Sequence, residues 1–295
     1  MSSLSRVAVL LAFTSLVHPA LARAQSQERT IYASVLDRSG APLTGLTAAD
    51  FGVREDGLQR EVLTARPATD PIRIAVLVDT SRAMEPYIKD LRNGLTAFFH
   101  SMEGRGEIAL YGFGERPTRL VDYTRDMARL EAGIGRVFSE SMSASYLLDA
   151  IIEVSRDLHG RDGVRSAIVV VTAEGPEFSH RDYRTVLDEV KAAGPTLHSL
   201  VLTRRSFNPF NDGAREREFT IANGAELTGG RREDLFTSTA LPGRLEALAD
   251  ELKNQYELVY ARPRTLIGAE KVEVSVNRTD ATVRAPRMST KVSTD

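Results

Sequence analysis

Two short runs, Ile72-Arg73-Ile74-Ala75-Val76-Leu77-Val78 and Ala167-Ile168-Val169-Val170-Val171, are apolar at almost every position. A strand that is apolar on both faces needs cover on both, which is the pattern of a parallel sheet between two layers of helix. The segments between and after these runs supply that cover. Met84, Tyr87, Ile88, Leu91, Leu95, Phe98, Phe99 and Met102 recur at the i, i+3, i+4, i+7 spacing of an amphipathic helix, with Pro86 in its first turn. Further helices are expected over Met127–Phe138, through Leu147, Leu148, Ile151, Ile152 and Leu158, and through Tyr183, Val186, Leu187 and Val190. Ser179 and Asp182 read as a capping box for the last of these, and Gly194-Pro195 as its stop. Strands are expected at Ile108–Tyr111, around Leu120-Val121 and over Leu197–Leu202, and a final helix carries Leu245, Leu248, Ala249 and Leu252. The fold class is therefore α/β, with a doubly wound, mostly parallel sheet.

On either side the period changes to two. Ile31, Ala33 and Val35 alternate with polar residues, as do Phe51 and Val53; Asp56-Gly57 is a hairpin signal, and Val62 and Thr64 sit on a returning strand. After Tyr256 the same alternation returns at Leu258 and Tyr260, at Val272, Val274 and Val276, and at Ala281, Val283 and Ala285. Short strands of this kind need a partner sheet. The expected organisation is an N-terminal β segment over 29–66, an α/β domain over 70–254 and a C-terminal β segment over 255–290. The two flanks pair into one small β domain that holds the α/β domain as an insertion.

Residues 1–24 have a different character. Arg6 precedes the apolar run Val7–Phe13, and Ala20, Ala22 and Ala24 form overlapping A-x-A sites before Gln25. That order is the order of a secretory signal peptide, and the run is too short to span a bilayer. The expectation is an exported protein, periplasmic or extracellular, with no membrane span after cleavage. The 295 residues carry 38 Lys and Arg against 40 Asp and Glu, which argues against nucleic acid as a partner. Cysteine is absent, which excludes disulfides, thiolate metal sites and a Cys nucleophile.

Ligands of open parallel sheets gather at the carboxyl ends of the strands. The loop Asp79-Thr80-Ser81-Arg82-Ala83 after the first apolar run is therefore the first candidate site, joined by Ser141–Ser145 and Thr172–Ser179. No H-E-x-x-H, G-x-S-x-G or Walker sequence is present. His100 and His159 fall near helix ends, His198 within a strand and His180 close to the third loop, which gives no catalytic constellation. No catalytic residue is assigned, and an enzyme is not expected.

The loop Asp79–Met84 resembles the first loop of a von Willebrand factor type A domain. The chain as a whole resembles the secreted bacterial "VWFA-related" proteins: the lead-in Asp37–Leu46, then Asp50-Phe51, Glu55-Asp56-Gly57, Thr228-Gly229-Gly230 and Gln255–Tyr260 occur in that family's order. The resemblance implies a metal-ion-dependent adhesion site built from a D-x-S-x-S loop, a Thr and an Asp. Asp79 and Ser81 match its first two positions, but Ala83 stands in place of the second Ser. Ser145 replaces the Thr, and a shift of one residue brings Glu174 to the Asp position. The implied cofactor is Mg²⁺ or Mn²⁺, held weakly or not at all, because Ala83 removes one of about six oxygens such an ion needs. Two arrangements stay open: the loops bind a partner through their shape without metal, or Asp79, Glu174 and Glu177 share an acidic rim that attracts a cation loosely. The implied function is non-enzymatic: an adhesion or scaffold-type module that binds a protein partner at these loops. Two alternatives stand beside it, a Mg²⁺-dependent phosphohydrolase using Asp79, with Ser81 where many such enzymes carry a second Asp, and a structural envelope protein whose site is vestigial.

Overall fold

The computed structural model describes residues 26–139, 143–159, 165–203, 212–264 and 269–287. The expected leader over 1–24 and Ser141 of the second loop lie outside these residues. The described residues open with the strands β1 (Ser26–Leu36), β2 (Phe51–Glu55), β3 (Leu58–Arg60) and β4 (Val62–Pro67). Asp56 and Gly57 both take positive φ in the turn between β2 and β3, as an Asp-Gly hairpin requires. Next come β5 (Ile72–Val78), α1 (Ile88–Ser101), β6 (Gly106–Gly112), β7 (Thr118–Thr124), α2 (Met127–Gly135) and α3 (Leu147–Leu158). They are followed by β8 (Ser166–Ala173), α4 (Tyr183–Ala193), β9 (Thr196–Leu202), α5 (Asp212–Thr228), β10 (Arg232–Leu235) and α6 (Leu241–Lys253). The chain returns to strands with β11 (Tyr256–Pro263), β12 (Val272–Val276) and β13 (Thr282–Arg284).

The central sheet runs β10-β9-β8-β5-β6-β7, parallel throughout except for the antiparallel edge strand β7. Side chains alternate across it. Ile72, Ile74, Val76 and Val78 of β5 pack on one face with Leu91, Leu95 and Phe98 of α1 and Leu245 and Leu248 of α6. Ala75 and Leu77 point the other way, toward Leu148, Ile151 and Val154 of α3 and Val186 of α4. The sheet is thus mostly parallel and doubly wound.

The flanking strands pair with each other. β1 runs antiparallel to β11 from Ser26↔Pro263 to Ala33↔Tyr256, within a four-stranded sheet β13-β1-β11-β4. A second sheet, β12-β2-β3, joins Val272–Val276 of the C-terminal flank to Phe51–Glu55 of the N-terminal flank. Ile31, Ala33, Val35, Phe51, Val53, Tyr256, Leu258 and Tyr260 form the core between them.

Several local expectations are revised. The helix expected to carry Met84–Met102 begins as a 3₁₀ segment, Arg82–Tyr87, and becomes α-helical only at Ile88. Pro86 lacks an N–H and disfavours α geometry at Glu85, so the regular helix starts beyond it. α2 stops at Gly135 instead of reaching Phe138, next to the helix-weakening pair Gly133 and Gly135. α4 is capped by Asp182, whose carboxylate accepts the Thr185 N–H at 3.0 Å; Ser179 Oγ instead accepts the Asp149 N–H at 3.1 Å. α5 and β10 were not expected. The buried face of α5 is built mainly from Ala214, Thr220, Ile221, Gly224 and Ala225, too small and polar to announce an apolar stripe.

His198 lies on β9, wholly buried on the α6 side, with Nε2 3.0 Å from Thr196 Oγ1. Burial lowers its pKa to about 4, opposed by Glu251 and reinforced by Arg284 and Arg231. The folded value lies below the unfolded one, so this group's contribution is complete above about pH 6.5 and disappears as pH falls toward 4. Thermal melts from pH 7 to 4.5 should show a loss that His198→Leu flattens by roughly 3 kcal/mol. An unchanged pH slope in the variant would refute the assignment.

Candidate functional site

The carboxyl end of β5 delivers Asp79 into a fully buried position. Oδ1 accepts the Ser81 N–H at 2.8 Å, which folds the loop back into an Asx-type turn. Oδ2 accepts the Thr172 hydroxyl at 2.8 Å and the Ala173 N–H at 3.3 Å, both at the end of β8. The Asp79 N–H itself donates to Val171 O at 2.9 Å, so the first and third loops leave the sheet locked together. A buried carboxylate requires such donors, because burying an unsatisfied charge costs several kcal/mol.

The second loop is stitched to the other two. Ser139 Oγ donates to Ser81 O at 3.0 Å, the Arg82 N–H donates to Ser143 O at 3.3 Å, and Ser143 Oγ donates to Thr80 O at 3.3 Å. Ser145 and Glu177 form a parallel bridge: the Ser145 N–H donates to Pro176 O and the Phe178 N–H donates to Ser145 O. Ser145 Oγ then donates to Glu177 Oε2 at 2.8 Å, and that oxygen also accepts the Leu147 N–H at 3.2 Å at the start of α3. Glu177 Oε1 accepts the Ser179 N–H at 3.1 Å. Burial raises the Glu177 pKa, while hydrogen bonds from Ser179 and Ser145 and the charge of Arg217 pull it down.

Asp79, Ser81 and Ser145 therefore converge on the carboxyl edge, but the carboxyl that meets Ser145 is Glu177 and not Glu174. Glu174 extends the β8 ladder, its N–H donating to Leu202 O at 3.0 Å. Ala83 packs against the third loop: a Cβ at Gly175 would lie 2.8 Å from the Ala83 methyl. Arg217 of α5, a residue the sequence pattern did not mark, is buried beside the same loop and donates to Ala173 O at 2.8 Å and to Gly175 O at 3.4 Å.

Mg²⁺ or Mn²⁺ would need about six oxygens in near-octahedral array. Both oxygens of Asp79 and the hydroxyl of Ser145 are engaged by the chain itself, and position 83 offers a methyl. Among the described residues no three His, Asp or Glu side chains form a metal-holding group. The donor set as arranged does not fit such an ion.

The fold and this loop arrangement define a class. Residues 74–175 match the family model of the von Willebrand factor type A domain, so this segment of the chain carries a von Willebrand A domain. The match spans β5 to the third loop. No curated protein matches the chain. Among solved structures, a von Willebrand factor type A protein of Catenulispora acidiphila aligns with a TM-score of 0.52 at 8% identity, covering 90% of this chain and 74% of that one. An aerotolerance-related membrane protein of Bacteroides fragilis aligns at 0.47 and 16% identity, covering 61% and 99%. A pilus adhesin of Lactobacillus rhamnosus GG aligns at 0.49 and 12%, covering 81% and 48%. At these identities the likeness is one of fold.

Asp79→Ala leaves the Ser81 and Ala173 N–H groups and the Thr172 hydroxyl without their buried acceptor. It should destabilise the protein by about 2–4 kcal/mol, with Asp79→Asn milder because one acceptor oxygen remains. Equilibrium denaturation measures both; equal, near-zero effects would show that Asp79 does not hold the loops.

Proposed function

We propose that this chain is an exported, non-enzymatic protein-interaction module that binds its partner at the carboxyl-edge loops of the von Willebrand A domain without a bridging metal ion. The observation that carries this reading is the placement of exposed aromatics. Phe138 leads into the second loop, Phe178 lies in the third, and Phe236 follows β10; they are 57%, 48% and 77% exposed. Phe178 lies tilted against Tyr146, ring centroids 6.5 Å apart. Aromatic side chains are the commonest anchors of protein interfaces, and their exposure on a rigid rim is costly unless something covers them. The export leader expected over 1–24 supports a site of action in the periplasm or outside the cell.

The phosphohydrolase alternative requires an accessible Asp79 oxygen, and both are buried and hydrogen-bonded. Catalysis by that route has no support in the geometry. The envelope-scaffold alternative makes a different prediction about the rim. Tagged protein cross-linked in its native exported fraction should capture a discrete partner equally well with and without EDTA. Capture should fall at least about tenfold on the paired change Phe138→Ser and Phe178→Ser, each anchor counted at 1 kcal/mol or more. It should survive Leu58→Ser, which alters an exposed apolar residue on β3. Capture indifferent to the rim pair would favour the scaffold reading, and capture abolished by EDTA would restore the metal-bridged one.

A further inference from the structure

We infer that Arg217 is the resident cation of the loop cluster, a side chain that joins and charge-balances the loops where the family's plan calls for a metal ion. This rests on reading the loops as metal-independent, but its test involves no partner. Among the described residues, Asp79 and Glu177 are carboxyl groups buried at the carboxyl edge, at 0% and 2% exposure, and Arg217 is a guanidinium buried beside them at 5%.

The arginine comes from α5, outside all three loops, and reaches across the turn that follows β8. One terminal nitrogen donates to Ala173 O at 2.8 Å and the other to Gly175 O at 3.4 Å, so a single planar group ties both ends of that turn. Ala173 stands in the stretch where the family's third-loop Asp is expected. In place of an acid donating oxygens to an ion, the turn offers main-chain carbonyls to a fixed cation. Arginine suits this task because its rigid fork spreads several donors over a plane and stays charged at all relevant pH.

The approach of α5 depends on Gly213. A Cβ there would fall 2.4 Å from Glu177 O, so only glycine lets the first turn of α5 lie against the third loop. Glu216, one residue before Arg217, accepts the Tyr183 N–H at 2.8 Å and fixes the same helix to the start of α4. From this position Arg217 acts electrostatically on Glu177, which in turn holds Ser145 Oγ and the Leu147 and Ser179 N–H groups. Arg217 is thereby linked to the second loop through Glu177 and to Asp79 through Ala173, whose N–H bonds Asp79 and whose carbonyl bonds Arg217. The methyl of Ala83 lies against Gly175, whose carbonyl accepts from Arg217, so the same turn meets a methyl where the family's plan has a hydroxyl.

The experiment is a set of thermal melts on the full mature chain, with Mn²⁺ alone as the metal probe. Wild-type melting should be unchanged by millimolar Mn²⁺ or by EDTA, with no saturable heat in a Mn²⁺ titration. Arg217→Gln should lower the melting temperature by about 5–10 °C, because it removes a buried charge beside Glu177 and the donors to Ala173 O and Gly175 O. Arg217→Lys should recover part of that loss by keeping the charge without the fork. Glu177→Gln should cost less in the Arg217→Gln background than in wild type, because the two groups are coupled. Saturable Mn²⁺ binding to wild type that Asp79→Ala abolishes would overturn the inference, even if Arg217→Gln fails to fold. So would Arg217→Gln melting with wild type, or Arg217→Lys melting no higher than Arg217→Gln.

Discussion

The burial of β5 and β8 on both faces is the constraint from which the rest of the molecule follows. Strands covered by helices above and below can satisfy their backbone only through the ladder, and they carry most of their polar side chains near their ends. Asp79 and Thr172 are the first polar side chains met at the ends of those two strands, and they bond to each other. Polar chemistry is thereby concentrated at one edge. The loops there are held by the sheet and not by their own lengths.

Buried carboxylates need a compensating charge, and arginines stand beside them in the flanking strands as well as at the carboxyl edge. Glu55, buried in the flanking β domain, meets Arg60 at 3.0 Å and Arg262 at 3.4 Å and accepts from Tyr260 Oη at 2.9 Å. Glu251 of α6 meets Arg284 of β13 at 2.8 Å and Arg231 at 3.7 Å, which ties the α/β domain to the C-terminal flank. Glu177 lies in the field of Arg217, which opposes the rise in pKa that burial causes. Removing one member of such a pair is far more damaging than the pair is stabilising, since the survivor stays buried. The ion pairs at Glu55 and Glu251 each join elements that are far apart in the chain.

Legibility in the sequence followed the range of the interactions. The strand at Ile72–Val78, the Asp79 loop and the Asp56-Gly57 hairpin depend on neighbours within a few residues, and their patterns are plain. The α5 helix depends on close approach: Gly213, Ala214, Gly224 and Ala225 are chosen for smallness, which carries no periodic apolar signal. Arg217 reads in sequence as a solvated charge because burial of arginine is rare unless it is paired, and its pairing partners lie some forty residues away. Ser179 and Asp182 satisfied a capping pattern, yet the hydroxyl was drawn to the N–H of Asp149 by the packing of α3 on α4.

What the amino-acid sequence determined by itself is the alternation of buried strand and amphipathic helix, the two-period flanks, and the position of the loop that begins at Asp79. These follow from apolar periodicity and from turn chemistry, which are local. Tertiary structure decided which acid serves the edge. Glu174 and Glu177 are three residues apart in one loop, but Glu174 continues the β8 ladder toward Leu202, whereas the parallel bridge to Ser145 swings Glu177 inward. Tertiary structure also decided that a guanidinium from a distant helix lies against that loop. Charge compensation in a buried site is set by distance in space, and spacing along the chain does not encode it.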